Sequence, residues 1–353
     1  MDIPVFCYHN AFADGLEKDL GFLAANGYQT LTASELVDAL IGAAPAPPKA
    51  VALTFDDGLL SLKTVGLPLL ERYDARATVF AITGLTPEGR TAPAAADHRG
   101  PTRGGEGGLG GGEGHLGGGV LGRGDGNVGG RGGDLGGRQG DLGEGDLGGG
   151  EGDLNRLLGW DDLRELRDSG RFEIGSHGHR HNPVHVDLAE GARVRVEDYD
   201  RLYDMPVEWG PASDEAAIHA FDGVAARPAR PLFATETIIV AGRRVDSREP
   251  ILQDMRASRD ALRERLGIER LHLCLPYGAG TEAIPGLARE AGFESVFWSR
   301  RPDRRRNEPG DDPFRIVRRK HDFVRRLPGR GRRSLLDLGL AKIIRRLRGD
   351  PWV

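Results

Sequence analysis

Roughly half of the chain's 54 glycines lie in one stretch, Gly100–Gly152, and that stretch limits what the whole chain can fold into. A run such as Gly129-Gly130-Arg131-Gly132-Gly133-Asp134-Leu135-Gly136-Gly137 has almost no side chain to bury. It also has the most backbone entropy to lose on ordering. Its units are irregular, with Gly-Asp-Leu, Gly-Glu-Gly and Gly-Gly-Arg following one another in no strict period. Residues 91–153 are therefore predicted to be a disordered insertion. The alternatives are a partner-binding glycine segment and a calcium-binding roll, which would need the missing period. The fold has to come from the remaining roughly 300 residues, enough for one full core.

Those residues alternate between short apolar runs and helical patterns. Pro4–Tyr8, Ala50–Phe55, Ala77–Ile82, Phe172–Gly175, Leu271–Leu275, Ser295–Trp298 and Phe314–Val317 read as strands. Leu16–Asn26, Thr32–Leu40, Leu60–Tyr73, Trp160–Ser169 and Ala283–Ala291 read as helices, several of them stopped by a following glycine. Such alternation implies a parallel sheet or barrel in an α/β fold. Tyr199–Arg248 has scattered Pro and little periodicity, and is expected to be a loop-rich insertion (199–248) with a hairpin over Thr237–Val245. Its Tyr203, Trp209 and Phe221 are candidates for an aromatic stacking wall over a pocket, or for simple anchors of the loop.

Charge and cysteine narrow the function classes. No apolar run approaches the ~18 residues of a spanning helix. With only Cys7 and Cys274, the chain is no disulfide scaffold, and both are expected to be buried small hydrophobes. The chain carries −5 overall, yet the residues from Ser299 onward carry a net +11. Within 321–353, Leu335, Leu336, Leu338, Leu340, Ile343, Ile344 and Leu347 recur at helical spacing among Arg and Lys. That pattern reads as a surface helix closing the fold, with contact to an anionic membrane surface as the sharper alternative. Nucleic-acid binding is not expected, because neither an aromatic platform nor a known motif accompanies the charge.

Two clusters can carry chemistry. Thr54-Phe55-Asp56-Asp57-Gly58 ends an apolar strand, where side chains converge on a barrel mouth. Two adjacent carboxylates there repel unless a cation separates their roles. The second cluster, Ser176-His177-Gly178-His179-Arg180-His181, also follows a strand. His177 and His181 are four apart, so one helical turn would put both imidazoles on one side. Two neutral nitrogens and the carboxylate of Asp57 form a common set for a catalytic divalent metal. His9, at the end of the first strand, is expected to line the same site.

With these residues in place the chain resembles the polysaccharide deacetylases of the NodB-homology type, carbohydrate esterase family 4. Thr54–Gly58 matches that family's first motif, and His177–His181 its His-x-x-x-His motif, with Gly178 where Ser or Thr is usual. Leu275-Pro276-Tyr277-Gly278 resembles the third motif, with Cys274 where many members carry Arg. The opening Pro4-Val5-Phe6-Cys7-Tyr8-His9 is similar to the biofilm-polysaccharide N-deacetylase branch.

The resemblance implies a distorted (β/α) barrel of fewer than eight strands, formed by residues 1–90 and 154–320. It implies that Asp57, His177 and His181 hold a divalent metal, Zn2+ first among the candidates, and that Asp56 is the general base. Pro276, Tyr277 and Gly278 would border substrate, with the Tyr277 N–H facing the oxyanion. The substrate would be an acetylated sugar or glycan precursor, most simply N-acetylated. The alternatives are a non-catalytic carbohydrate-binding or scaffold protein on the same fold, and an amide hydrolase of small molecules. Two features depart from the pattern. Cys274 leaves Asp56 without its usual arginine, and the family's late histidine acid has only His321 as a counterpart. As written, Met1-Asp2-Ile3-Pro4 carries no signal peptide. The expected location is cytoplasmic, with a membrane-peripheral position through the basic tail as one alternative and an extracytoplasmic one, should the N-terminus be incomplete, as another.

Overall fold

The computed structural model describes residues 2–91, 156–181, 183–184, 187–189, 225–227, 230–240, 243–334 and 336–337. Residues 92–153 of the Gly-rich insertion, Tyr203, Trp209 and Phe221, and residues 335 and 338–353 of the amphipathic tail lie outside the described residues.

The first half of the barrel follows the sequence pattern closely. Strand β1 (Val5–Tyr8) leads to helix α1 (Ala13–Ala25), β2 (Gln29–Leu31) to α2 (Ala33–Ile41), β3 (Ala50–Phe55) to α3 (Leu67–Arg72), and β4 (Ala77–Ala81) follows. Helix α2 starts on a capping box: the Thr32 side chain accepts the Glu35 N–H while Glu35 reaches back to the Thr32 N–H. It stops at Gly42, in the left-handed conformation. Helix α4 (Trp160–Asp168) and β5 (Phe172–Ser176) resume after the insertion.

Short strands β6 (Pro183–Val184), β7 (Asp187–Ala189), β8 (Ala225–Arg227) and β9 (Arg230–Pro231) form two small antiparallel pairs, β6 with β9 and β7 with β8. The expected hairpin is present as β10 (Thr237–Val240) and β11 (Arg243–Asp246). It runs into a 19-residue helix, α5 (Arg248–Leu266), that the sequence reading did not assign. Strands β12 (His272–Cys274) and β13 (Ser295–Trp298) flank α6 (Ile284–Ala291), and β14 (Ile316–Val317) and β15 (Arg319–Lys320) end the sheet.

The strands form a parallel sheet in the order β14-β13-β12-β5-β4-β3-β1-β15, with β2 pairing β3 outside that path. The two ends of this path are one piece of chain. β14 pairs with β13 and β15 pairs with β1, and only Arg318 separates them. The segment therefore closes the sheet into a distorted barrel. Counted by chain segment the barrel has seven staves, which is the fold expected from the sequence. Asn307 ties the seam, donating to the carbonyls of Val317 (2.8 Å) and Ile3 (3.4 Å) and accepting the Val317 N–H (2.8 Å).

Period-two alternation sorts the strand residues onto two faces. Val51, Leu53 and Phe55 join Phe6, Val79, Ile174 and Leu273 in a core packed against the helices. Ala50 and Ala52 join Val5, Phe80, Cys274, Phe297 and Ile316 in a second core, with Leu36 and Leu40 of α2. This second set fills the barrel interior. It is tight: a Cβ at Gly175 would sit 2.6 Å from the Phe80 ring, so only glycine fits there. All six residues of β3 are buried, because both faces of the strand are covered.

Candidate active site

The interior alternation of β3 continues past Thr54 to Asp56, which is 3% exposed at the barrel mouth. A regular strand would turn Asp57 to the opposite face. Instead Asp57 (φ +69°) and Gly58 (φ +78°) are both left-handed. A non-glycine residue in that region costs roughly 1–2 kcal/mol, and here it brings two consecutive carboxylates over one opening.

His177 follows β5 and His181 lies four residues on, but the intervening segment is not the helical turn expected from the spacing. It is a loop with Gly178 at φ +81° and His181 at φ +59°. The loop still brings the imidazoles together, with ring centroids 4.7 Å apart. The His177 Nε2 lies 3.5 Å and the His181 Nε2 3.8 Å from the same Asp57 Oδ1. Nδ1 of His177 is 3.0 Å from the Cys274 carbonyl, which can only accept. That nitrogen therefore carries the proton, and Nε2 presents its lone pair to the mouth. Burial pushes both imidazoles down to about 4, so they are neutral at pH 7. Burial also raises Asp57, and the neighbouring Asp56 charge acts in the same direction. Among the described residues, ligand atoms of Asp57, His177 and His181 all fall within 4.8 Å of one another. A carboxylate short of cations facing two neutral nitrogens is a donor set suited to a divalent metal with open coordination positions.

Asp56 faces the same space, its Oδ2 4.0 Å from the His177 Nε2. The sequence reading left it without a cation, and the structure corrects this. Arg318, between β14 and β15, grips both carboxylate oxygens, Nη1 to Oδ1 at 2.6 Å and Nη2 to Oδ2 at 2.9 Å. Burial alone would raise the Asp56 carboxyl. The charge of Arg318 and its two hydrogen bonds hold it far below the usual carboxylate range. A signal for Arg318 was present: Ile316 is an interior residue, and alternation from it puts Arg318 on the same face.

The cysteines also do more than fill space. The Cys7 thiol points at Asp56 Oδ2 (3.4 Å) and the Cys274 thiol at Oδ1 (3.6 Å). Burial keeps both thiols protonated, so they act as weak donors. Cys274 thus meets Asp56 with its side chain and His177 with its carbonyl.

His9 is exposed at the end of β1, and its ring nitrogen, the Cys7 sulfur and an Asp56 oxygen lie within 4.8 Å of one another. The Pro276-Tyr277-Gly278 turn lies across the mouth. Tyr277 is left-handed (φ +58°), 49% exposed, and its ring is 4.7 Å from that of His181. Gly278 is obligatory, because a Cβ there would meet the Ser299 side chain at 1.8 Å. His321, the candidate late acid, stacks instead on Tyr8 at 4.7 Å. His272 is fully buried and bonds Ser295 and Ser34, a structural position at the opposite end of the strands.

Comparison with known proteins places the chain among relatives. Over 58 residues the chain is 40% identical to poly-beta-1,6-N-acetyl-D-glucosamine N-deacetylase of Escherichia coli (strain K12). That match takes in 16% of this chain and 9% of the other, so the chain spans less than a tenth of that relative. Two solved structures share the fold over most of both chains. IcaB from Ammonifex degensii aligns with a TM-score of 0.53 at 19% identity, covering 92% of this chain and 94% of that one. A de-N-acetylase from Aggregatibacter actinomycetemcomitans aligns with a TM-score of 0.55 at 18% identity, covering 90% and 94%. The model of the family described as polysaccharide deacetylase matches residues 43–296, a span that holds Asp56, Asp57, His177, His181 and the Pro276–Gly278 turn. With that match over most of its length, the chain belongs to the polysaccharide deacetylase family.

Proposed function

We propose that the protein is a divalent-metal-dependent hydrolase that removes N-acetyl groups from a carbohydrate. The observation that carries this reading is the pairing at the mouth. A carboxylate clamped by Arg318 lies 4.0 Å from a neutral imidazole that also faces Asp57 and His181. In this reading Asp57, His177 and His181 hold the ion, with zinc the first candidate for a set of two nitrogens and one carboxylate. Bound there, the ion would supply Lewis acidity to the acetyl carbonyl and to water.

Each remaining role falls to a residue of this chain. Asp56, kept ionised and oriented by Arg318, takes the proton of the attacking water. The Tyr277 N–H receives the oxyanion of the tetrahedral intermediate, on a turn whose left-handed backbone fixes its direction. His9, exposed at the mouth beside Asp56, is the group placed to protonate the leaving amine. The relatives named as N-deacetylases support an amide rather than an ester as the bond cleaved.

The test is a substrate panel with the purified, metal-loaded protein. N-acetylglucosamine oligomers, O-acetylated glycans and small acyl amides are compared for acetate release, before and after chelation. The reading expects release from the N-acetylated oligomers, lost on chelation and restored by added metal. Release from the small amides alone would replace carbohydrate as the substrate class, and release indifferent to chelation would remove the metal.

A further inference from the structure

The loop that carries His177 and His181 is held by groups that belong to neither histidine. Helix α5 lies beside it. Asp254, 2% exposed, accepts the His179 N–H with Oδ1 at 2.8 Å and the Arg180 N–H with Oδ2 at 3.1 Å. One turn further along α5, the buried Ser258 hydroxyl meets that of Ser176 at 2.6 Å, and the Ser176 oxygen also accepts the Gly178 N–H at 3.0 Å. From the other side, the Gly84 N–H donates to the His179 carbonyl at 2.7 Å and the Thr83 N–H to that of Gly178 at 3.2 Å.

This grip works against the backbone's own preference. His181 is left-handed at φ +59°, a conformation that costs a β-carbon residue roughly 1–2 kcal/mol. Released, the loop would relax toward ordinary φ values and change the separation of the two imidazoles. Gly178 belongs to the same device. It too is left-handed, and a Cβ there would lie 3.1 Å from Asp254 Oδ1. The departure of this chain from Ser or Thr at that position therefore has a local cause. A side chain there would crowd the carboxylate that holds the loop, and would have to adopt the left-handed backbone.

We infer that Asp254 is a positioning residue for the metal site. By holding two successive amide N–H groups it sets the spacing of His177 and His181, and it acts on metal affinity rather than on the chemical step. The inference rests on the reading of Asp57, His177 and His181 as metal ligands. Groups that orient ligands in this way typically alter affinity about 10- to 100-fold when removed. Asparagine at 254 keeps one acceptor and turns an amide donor toward the other N–H, so it should fall between wild type and alanine.

The experiment titrates Zn2+ and Co2+ into apo wild type, Asp254→Asn, Asp254→Ala, Ser258→Ala and Gly178→Ser, following heat and the visible Co2+ spectrum. A melting curve is recorded for each. The expected result is one ion per wild-type chain, with affinity about 10- to 100-fold weaker in Asp254→Ala and intermediate in Asp254→Asn. The Co2+ spectrum should change in both, and turnover at saturating metal should stay within a few-fold of wild type. Where Asp254→Ala does not fold, Asp254→Asn and Gly178→Ser decide by the same two readouts. Wild-type affinity and an unchanged spectrum in the folded variants overturn the inference alone. A wild-type chain that binds no ion overturns the metal site, and the inference with it.

Discussion

Arg318 reaches from the segment that closes the barrel to both oxygens of Asp56, at 2.6 and 2.9 Å, and the pair is almost fully buried. One contact thus serves two purposes. It fastens the closing segment to β3, and it fixes the plane of the carboxylate assigned as general base. Replacing Arg318 by Lys keeps the charge but loses the two-pronged grip. The expected result is a kcat lower by about 10- to 100-fold, because the base is no longer aligned. Metal affinity should hardly change. Arg318→Ala strands a buried carboxylate and is expected to cost about 3–5 kcal/mol in urea unfolding.

The position of the arginine can be tested by moving it. Cys274 is fully buried beside Asp56, at the position where the family resemblance leads us to expect Arg. Cys274→Arg in the presence of Arg318 puts two guanidinium groups against one carboxylate. It should destabilise the protein by several kcal/mol, on the order of a broken buried pair. Cys274→Arg combined with Arg318→Ala should recover part of that loss, as read in paired unfolding curves. Equal stability of the single and double variants would show that the two sites do not share Asp56.

These residues also show how far the sequence could be read. The staves, the carboxylate pair and the histidine pair follow from periodicity and from motifs at strand ends, because those signals are local. Arg318 and Asp254 were not recognised, because each acts on a residue far away in the chain. Arg318 looks like one more charge in a basic run, until alternation from Ile316 puts it inside the barrel. Asp254 looks like one acid among the charges of an amphipathic helix whose companion turn is 75 residues away. The helical turn expected for His177–His181 failed for another reason. Spacing constrains which residues can meet, but tertiary contacts from α5 and from the loop after β4 set the backbone between them.

A buried cluster at the other end of the barrel gives a pH prediction. Glu173 accepts the Ser34 hydroxyl at 2.5 Å and the Ser34 N–H at 2.9 Å, and lies 3.3 Å from His272. Burial would raise its carboxyl, but His272 and Ser34 together bring it down from 4.5 to about 2. A carboxyl depressed on folding adds stability above its unfolded pKa and loses it as pH falls through the folded value. The contribution, roughly 3 kcal/mol, should be complete above about pH 4.5 and gone near pH 2. Glu173→Gln should therefore be clearly less stable than wild type at pH 7 and should approach it as pH falls toward 2. A gap that does not narrow with acidification would contradict this account.

The central claim is that Asp56 serves as the base of a metal-dependent deacetylation. The most direct measurement is acetate release from N-acetylglucosamine oligomers by wild type and Asp56→Asn, at matched metal content and saturating substrate. The account predicts one ion bound by each protein, with kcat at least about 100-fold lower in Asp56→Asn. Wild-type turnover by Asp56→Asn would contradict it, as would a metal-loaded wild-type protein that releases no acetate.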